Sequence, residues 1–239
     1  MKKLLFVAIL GIGMITTSDA FSANYILHLN GMCSMNWLDS SGARLASASG
    51  YTSINCYVDN TQSISFAASQ FKTKYLDVYC KGSNWCYIIN YSAGDAIVGY
   101  INGIYAPSWN IGYVVTAAGA SGGSEVANSF TSLFACSLTK QLAVSTIRGM
   151  YNHNDTNGIG IYRTGGYKAI WYSPGSAVLP GEDDGAVAYH SSAGCVSTGS
   201  YNRLDTCSRW TNHYIYGDGK GYYLDHYGMK MKGISLRGW

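Results

Sequence analysis

Apolar and polar positions change period several times along this 239-residue chain, and each change marks an element. Tyr25-Ile26-Leu27-His28-Leu29 predicts a strand, ending at the turn Asn30-Gly31-Met32-Cys33. From Ile64 to Tyr79 the spacing becomes helical, with Phe66, Ala67, Phe71, Tyr75 and Val78 on one side. A short loop then leads into Trp85-Cys86-Tyr87-Ile88-Ile89, which has the pattern of a buried strand. Ala93, Ile97, Tyr100, Ile101 and Ile104 share one face of the helix that follows. Ile111 to Thr116 is another strand, running into the Gly-rich turn 117–123 and a new helix. Gln141 to Asn157 is polar and shows no period, whereas Tyr167 to Tyr172 again reads as a strand. Repeated strand-to-helix alternation predicts an α/β domain spanning 21–239, three layers deep, with a mostly parallel central sheet and helices on both faces.

The sharpest of these changes falls at Asn90-Tyr91-Ser92-Ala93-Gly94, between a strand and a helix. A serine at the apex, with small residues beside it, suits a tight turn whose hydroxyl projects out of the fold. The first amides of the next helix would face whatever that hydroxyl attacks. The pattern N-x-S-x-G is a variant of the nucleophile-elbow pattern G-x-S-x-G. Asn90 stands where the first glycine belongs, and its larger side chain is expected to crowd the turn. The Gly-rich turn at 117–123 lacks both a Walker lysine and a G-x-G-x-x-G pattern, so it does not read as a nucleotide site.

The ends and the cysteines place the chain in a compartment. Lys2 and Lys3 precede an apolar run from Leu4 to Ile15, and Ser18-Asp19-Ala20 supplies small residues at a cleavage site. Residues 1–20 are therefore expected to be a signal peptide cut after Ala20, which predicts a secreted or periplasmic protein. Only 12% of residues are charged and the net charge is +3, with no large basic cluster, so no nucleic-acid partner is expected. Seven cysteines in an exported chain suggest up to three disulfides. The expected pairs are Cys80–Cys86 across a turn, Cys195–Cys207 around a polar loop, and Cys33–Cys56. Cys136 is left as a buried thiol. No Cys or His spacing suits zinc, and no metal is expected.

Downstream of the elbow, Gly123-Ser124-Glu125-Val126-Ala127-Asn128 opens a helix. Further on, Asp184-Gly185-Ala186-Val187 precedes Ser191-Ser192, and His226 follows late in the chain. This succession resembles secreted bacterial lipases and esterases of the α/β-hydrolase superfamily over roughly Tyr25 to His226. The first of those segments matches the second half of the family's P-H-x-G-S-x-x-A-D pattern, and the Pro-His part is missing. The resemblance implies a Ser92, Asp184, His226 triad in the chain order of that superfamily, with Asp183 as a neighbouring alternative for the acid. It also implies an oxyanion hole made by the backbone N–H groups of Met32 and Ala93. The implied activity is hydrolysis of carboxylic esters through an acyl-enzyme, with no cofactor. The substrate would be an ester or a lipid, with contact to a lipid surface. Two other classes stay open: an exported binding or structural protein with an inactive hydrolase fold, and an outer-membrane β-barrel, suggested by the abundant Gly and Tyr and by Trp239.

Overall fold

The structure, a computed structural model, describes residues 22–33, 37–38, 43–105, 108–129, 136–153, 157–168, 175–192 and 221–235. The expected signal peptide and the expected Cys195–Cys207 pair lie outside these residues.

Six strands, all parallel, form a sheet in the order β2-β1-β3-β4-β5-β6. They are β1 (Asn24–Leu29), β2 (Tyr51–Asn55), β3 (Trp85–Tyr91), β4 (Ile111–Ala117), β5 (Gly160–Gly166) and β6 (Gly221–Tyr222). Side chains alternate across the strands, so each contributes to two cores. On one face Leu27, Leu29, Ile88, Val114 and Ile161 pack against α1 (Ile64–Phe71) and α3 (Ala93–Ile104). On the other face Ile26, Ile89, Val115 and Ala117 pack against Trp37 and against Met229 and Ile234 of the helix His226–Ser235. The result is a three-layer α/β fold, as the sequence pattern predicts. An all-parallel sheet flanked by helices also excludes the β-barrel reading.

Local chemistry explains several element boundaries. The Ser63 hydroxyl accepts from Phe66 N at 3.1 Å and caps α1. The single helix expected over 64–79 is interrupted by a π-helical turn at Lys72–Leu76 before resuming as α2 (Asp77–Tyr79). Between β4 and β5 lie α4 (Glu125–Ser129), α5 (Leu138–Gln141) and α6 (Val144–Arg148), the last inside the stretch whose sequence shows no period. Of the strand expected at 167–172, Tyr167 and Lys168 are not in a strand and the rest lies outside the described residues; β5 ends just before, at Gly166. Its Gly-Ile-Tyr-Arg-Thr-Gly-Gly sequence hides a buried strand because its polar members are satisfied inside the protein. Thr164 donates to Thr116 O at 3.0 Å and Arg163 pairs with Asp95 at 2.7 Å. α7 (Tyr189–Ser192) packs over this strand, and α8 (His226–Ser235) closes the opposite face.

Two disulfides are present among the described residues. Cys80–Cys86 forms as expected. The other is Cys33–Cys136, not Cys33–Cys56, and it closes a separation of 103 residues. Cys56 leaves the end of β2 with its N–H on His28 O at 3.1 Å and its side chain in the α1/α3 core, which keeps it from the surface turn at Cys33. Among the described residues Cys56, and not Cys136, is the free thiol, and burial pushes its pKa up. Among the described residues no helix is long and apolar enough to cross a membrane.

His28, in β1, is fully buried. Its Nε2 accepts from Ala46 N at 3.0 Å and its Nδ1 faces Ile54 O at 3.4 Å, an arrangement that suits the neutral ring protonated on Nδ1. Burial lowers its pKa to about 4. The unfolded chain therefore takes up this proton first as the pH falls, and the stability held above pH ~6.5 is lost down to pH ~4. Denaturation curves at pH 7 and pH 4 should differ by about 2–3 kcal/mol through this group. The difference should shrink in His28→Gln; an equal pH response in that variant would remove His28 as the cause.

The sheet order reverses between β1 and β3: the chain leaves β1 for β2 on one side and β3 for β4 on the other. Such a reversal opens a crevice at the carboxyl ends of the two strands. Those ends carry Asn30-Gly31 and Ser92.

Candidate active site

Ser92 follows β3 directly, with φ 54° and ψ −124°. A non-glycine residue holds this conformation only where its surroundings over-determine it. Here they do. Ser92 N donates to Ala117 O at 3.1 Å, and Ser92 O accepts from Asp95 N at 3.1 Å and from Ala120 N at 3.0 Å. Gly94 lies so close to the turn after β1 that a Cβ there would stand 2.9 Å from the carbonyl oxygens of both Leu29 and Asn30. A Cβ on Gly31 would stand 2.8 Å from that of Ser92. Two glycines thus let the β1 turn and the serine turn press together.

Asn90 does not prevent the turn. It is fully buried on the α1/α3 face, and its Cβ lies 3.4 Å from where a Cβ on Gly94 would be. The expected crowding does not arise: even a Cβ on residue 94 would meet Asn90 only at ordinary contact distance. The amide of Asn90 has no hydrogen-bond partner among the described residues.

Asp184 and His226 meet Ser92 from the other side of the crevice. His226 Nε2 lies 3.0 Å from Ser92 Oγ, and its Nδ1 lies 2.9 Å from Asp184 Oδ2. His226 N also donates to Asp184 O at 2.8 Å, so backbone and side chain fix the same neighbours. His226 opens α8 and is not in a loop as its sequence context suggests; Asp225 accepts from Gly228 N at 2.8 Å and caps that helix. Asp184 is fully buried, and its Oδ1 accepts from Ala186 N at 3.0 Å and Val187 N at 2.8 Å. Three donors around one carboxylate hold it in a single orientation. Ser124, in the motif after β4, braces this loop by donating to Ala186 O at 2.6 Å. Asp183 is engaged elsewhere, accepting from Ser176 Oγ and Gly185 N, both at 2.7 Å, while burial raises its pKa.

The remaining described histidines are held in other places. His153 Nε2 contacts Ile147 O at 3.0 Å and burial lowers its pKa; His190 lies between Arg148 and Glu125. His213 lies outside the described residues. No group of three metal-ligating side chains occurs among the described residues.

Sequence reading misses the charge pair beneath the elbow. Asp95, in the first turn of α3, bonds Arg163 at 2.7 Å and Ser121 N at 3.0 Å, and both ion-pair side chains are 2% exposed. Arg163 also donates to Ser121 Oγ at 2.7 Å. A Cβ on Gly119 would stand 2.3 Å from Asp95 Oδ2, so this glycine admits the carboxylate. The pair ties the helix behind Ser92 to β5 and to the Gly-rich turn. Its only signal in the sequence is that two charges lie in apolar segments of a chain with few charges.

Two cavities meet at Ser92 and His226. One, of about 210 Å³, is lined by Met32, Ala127, Leu142, Val187 and other largely apolar residues. The other, of about 200 Å³ and more open, is lined by Asn30, Gly31, Tyr91 and Tyr227. A hydroxyl bonded to an imidazole, whose far nitrogen meets a buried carboxylate, is the geometry of an activated nucleophile.

No family sequence model matches the chain, and no curated protein matches it. Solved structures do match. The mature form of the Bacillus licheniformis lipase BlEst2 superposes with a TM-score of 0.60 at 14% identity, over 88% of this chain and 87% of that one. The propeptide form of the same lipase gives a TM-score of 0.65 at 15% identity, over 90% of this chain and 48% of that one. A metagenomic carboxyl esterase gives 0.55 at 14% identity, over 86% and 65% of the two chains. With an all-parallel sheet between helices and bacterial lipases and esterases as structural neighbours, the chain has the α/β-hydrolase fold.

Proposed function

We propose that this chain is an exported serine hydrolase that cleaves carboxylic esters. The observation that carries the reading is the continuous hydrogen-bonded chain Ser92–His226–Asp184 at the mouth of an apolar cavity. Ser92 Oγ attacks the ester carbonyl while His226 Nε2 takes its proton. Asp184 holds the Nδ1 proton and stabilises the imidazolium that forms. The tetrahedral oxyanion is met by the N–H groups of Met32 and Ala93, the latter at the start of α3, where first-turn amides lack helical partners. Collapse expels the alcohol, protonated by His226, and leaves an acyl-enzyme. Water activated by the same histidine then releases the acid. No cofactor enters these steps.

The cavities divide the substrate. The less open, apolar one suits the acyl chain, and the more open one beside Tyr91 and Tyr227 suits the alcohol. The cavity of about 210 Å³ beside Ser92 is small, so the acyl chain it takes is short to medium. Export is supported by the signal-like first twenty residues and by disulfides, which persist in oxidising compartments.

The test is direct. Purified protein should hydrolyse p-nitrophenyl esters, with turnover rising from acetate to about hexanoate and falling for palmitate. A fluorophosphonate should label it, and peptide mapping should put the adduct on Ser92. Folded protein inert to both reagents would replace this reading with that of an exported binding protein.

A further inference from the structure

The turn that carries Met32 is held by a side chain from outside the triad. Asn60, in the loop between β2 and α1, is 1% exposed. Its Nδ2 donates to Asn30 O at 3.2 Å and also to Gly31 O. Its backbone carbonyl accepts from Cys33 N at 3.2 Å, so Asn60 grips the turn on both sides of Met32. Two carbonyl acceptors leave no ambiguity about which amide atom faces the turn.

The Gly31 carbonyl and the Met32 N–H belong to one planar trans peptide and point in opposite directions. Whatever fixes the Gly31 oxygen therefore fixes the Met32 N–H. Met32, Gly31 and Ser92 line the same cavity. Gly31 makes this approach feasible, because a Cβ there would stand 3.2 Å from Ser92 Oγ.

We propose that Asn60 is a positioning residue for ester hydrolysis, holding the Gly31–Met32 peptide so that its N–H points at the developing oxyanion. The proposal rests on the serine-hydrolase reading above. Asn60 touches neither substrate nor triad and acts only through this peptide.

Two further observations fit the role. The Asn60 Oδ1 is buried with no hydrogen-bond partner among the described residues. Such an acceptor is destabilising, so packing alone would favour an apolar residue of similar size. The residue is also presented by a turn with its own bracing. Asp59 Oδ1 accepts from Thr61 N at 3.0 Å and Thr61 Oγ1 at 2.6 Å, and its Oδ2 accepts from Gln62 at 2.8 Å. The Thr61 side chain, then its backbone, hold the Asp59 pKa below the usual carboxylate range.

The experiment compares parent, Asn60→Leu and Asn60→Asp, the last keeping the shape while replacing the donor by an acceptor. Steady-state hydrolysis of p-nitrophenyl butyrate gives kcat and KM. A phenylboronic acid, whose serine adduct mimics the tetrahedral intermediate, gives a Ki that reads the oxyanion site. The expected result is a fall of about 10–100-fold in kcat with KM within about threefold, and a matching rise in the boronate Ki. A merely structural role would lower the amount of folded enzyme without moving the boronate Ki of the fraction that remains. If Asn60→Leu does not fold, Asn60→Asp decides on the same criteria. Variants that keep kcat within about threefold, or lose kcat with an unchanged boronate Ki, overturn the proposal. Ser92→Ala separates the two levels: if it too keeps full turnover, the hydrolase reading has failed, and if it is inert, only the role of Asn60 is in question.

Discussion

Ser92→Ala is expected to reduce ester turnover by about 10⁴–10⁶-fold and to abolish fluorophosphonate labelling. His226→Ala should fall in the same range, because the imidazole 3.0 Å from Ser92 Oγ is the nearest base. Asp184→Asn should cost about 10²–10⁴-fold, since it leaves the imidazole in place but without the carboxylate opposite Nδ1. Combining Asp184→Asn with His226→Ala should cost little beyond the worse single change, because the groups act as a unit. Asp183→Asn is the control. Its carboxylate serves Ser176 and Gly185, so turnover should stay within about tenfold of the parent. Stopped assays with matched amounts of folded protein measure all five. Strong loss in Asp183→Asn with little in Asp184→Asn would move the acid by one residue.

The second large effect is on stability. Cys33–Cys136 closes a separation of 103 residues and Cys80–Cys86 one of six. Constraint of the unfolded chain grows with loop length, to about 4–5 kcal/mol for the long bridge and about 2 kcal/mol for the short one. The double variant Cys33→Ser/Cys136→Ser should therefore lose about twice the unfolding free energy of Cys80→Ser/Cys86→Ser. It should also lose activity at temperatures where it remains folded, since Cys33 adjoins Met32. Urea titrations of both variants at one pH decide the order, and a larger loss from the short bridge would contradict it.

Residues with strong local signals were legible in the sequence. Leu27 and Leu29 of β1, Ile88 and Ile89 of β3 and Val114 and Val115 of β4 are apolar because both sheet faces are covered, and apolar runs are what periodicity detects. Ser92 and Gly94 stood out because the turn tolerates few residues. Asp184 and His226 were found through their order in the chain and their likeness to a family.

Features set by distant partners were not legible. β5 escaped notice because Arg163 and Thr164 are buried through Asp95 and Thr116, 68 and 48 residues away. The pairing of Cys33 with Cys136 depends on where α5 lies against the turn after β1, which no local pattern records. Asn60 gives no signal at all: its role exists only once two backbone carbonyls of another segment reach it. β2 was missed for a further reason. As an edge strand of Tyr, Thr, Ser, Ile and Asn it is only half covered, and its pattern matches that of a loop.

His226 opens α8, while the serine it serves lies 134 residues earlier. A ribosome adding ~5–20 residues per second needs on the order of ten seconds to make the intervening chain. Until those residues are made the chain has its serine but not the histidine that stands beside it in the fold. Under the proposed reading, Ser92 gains its base only when α8 settles against β3 and β4. Turnover would then report the docking of α8 and not the formation of the sheet alone.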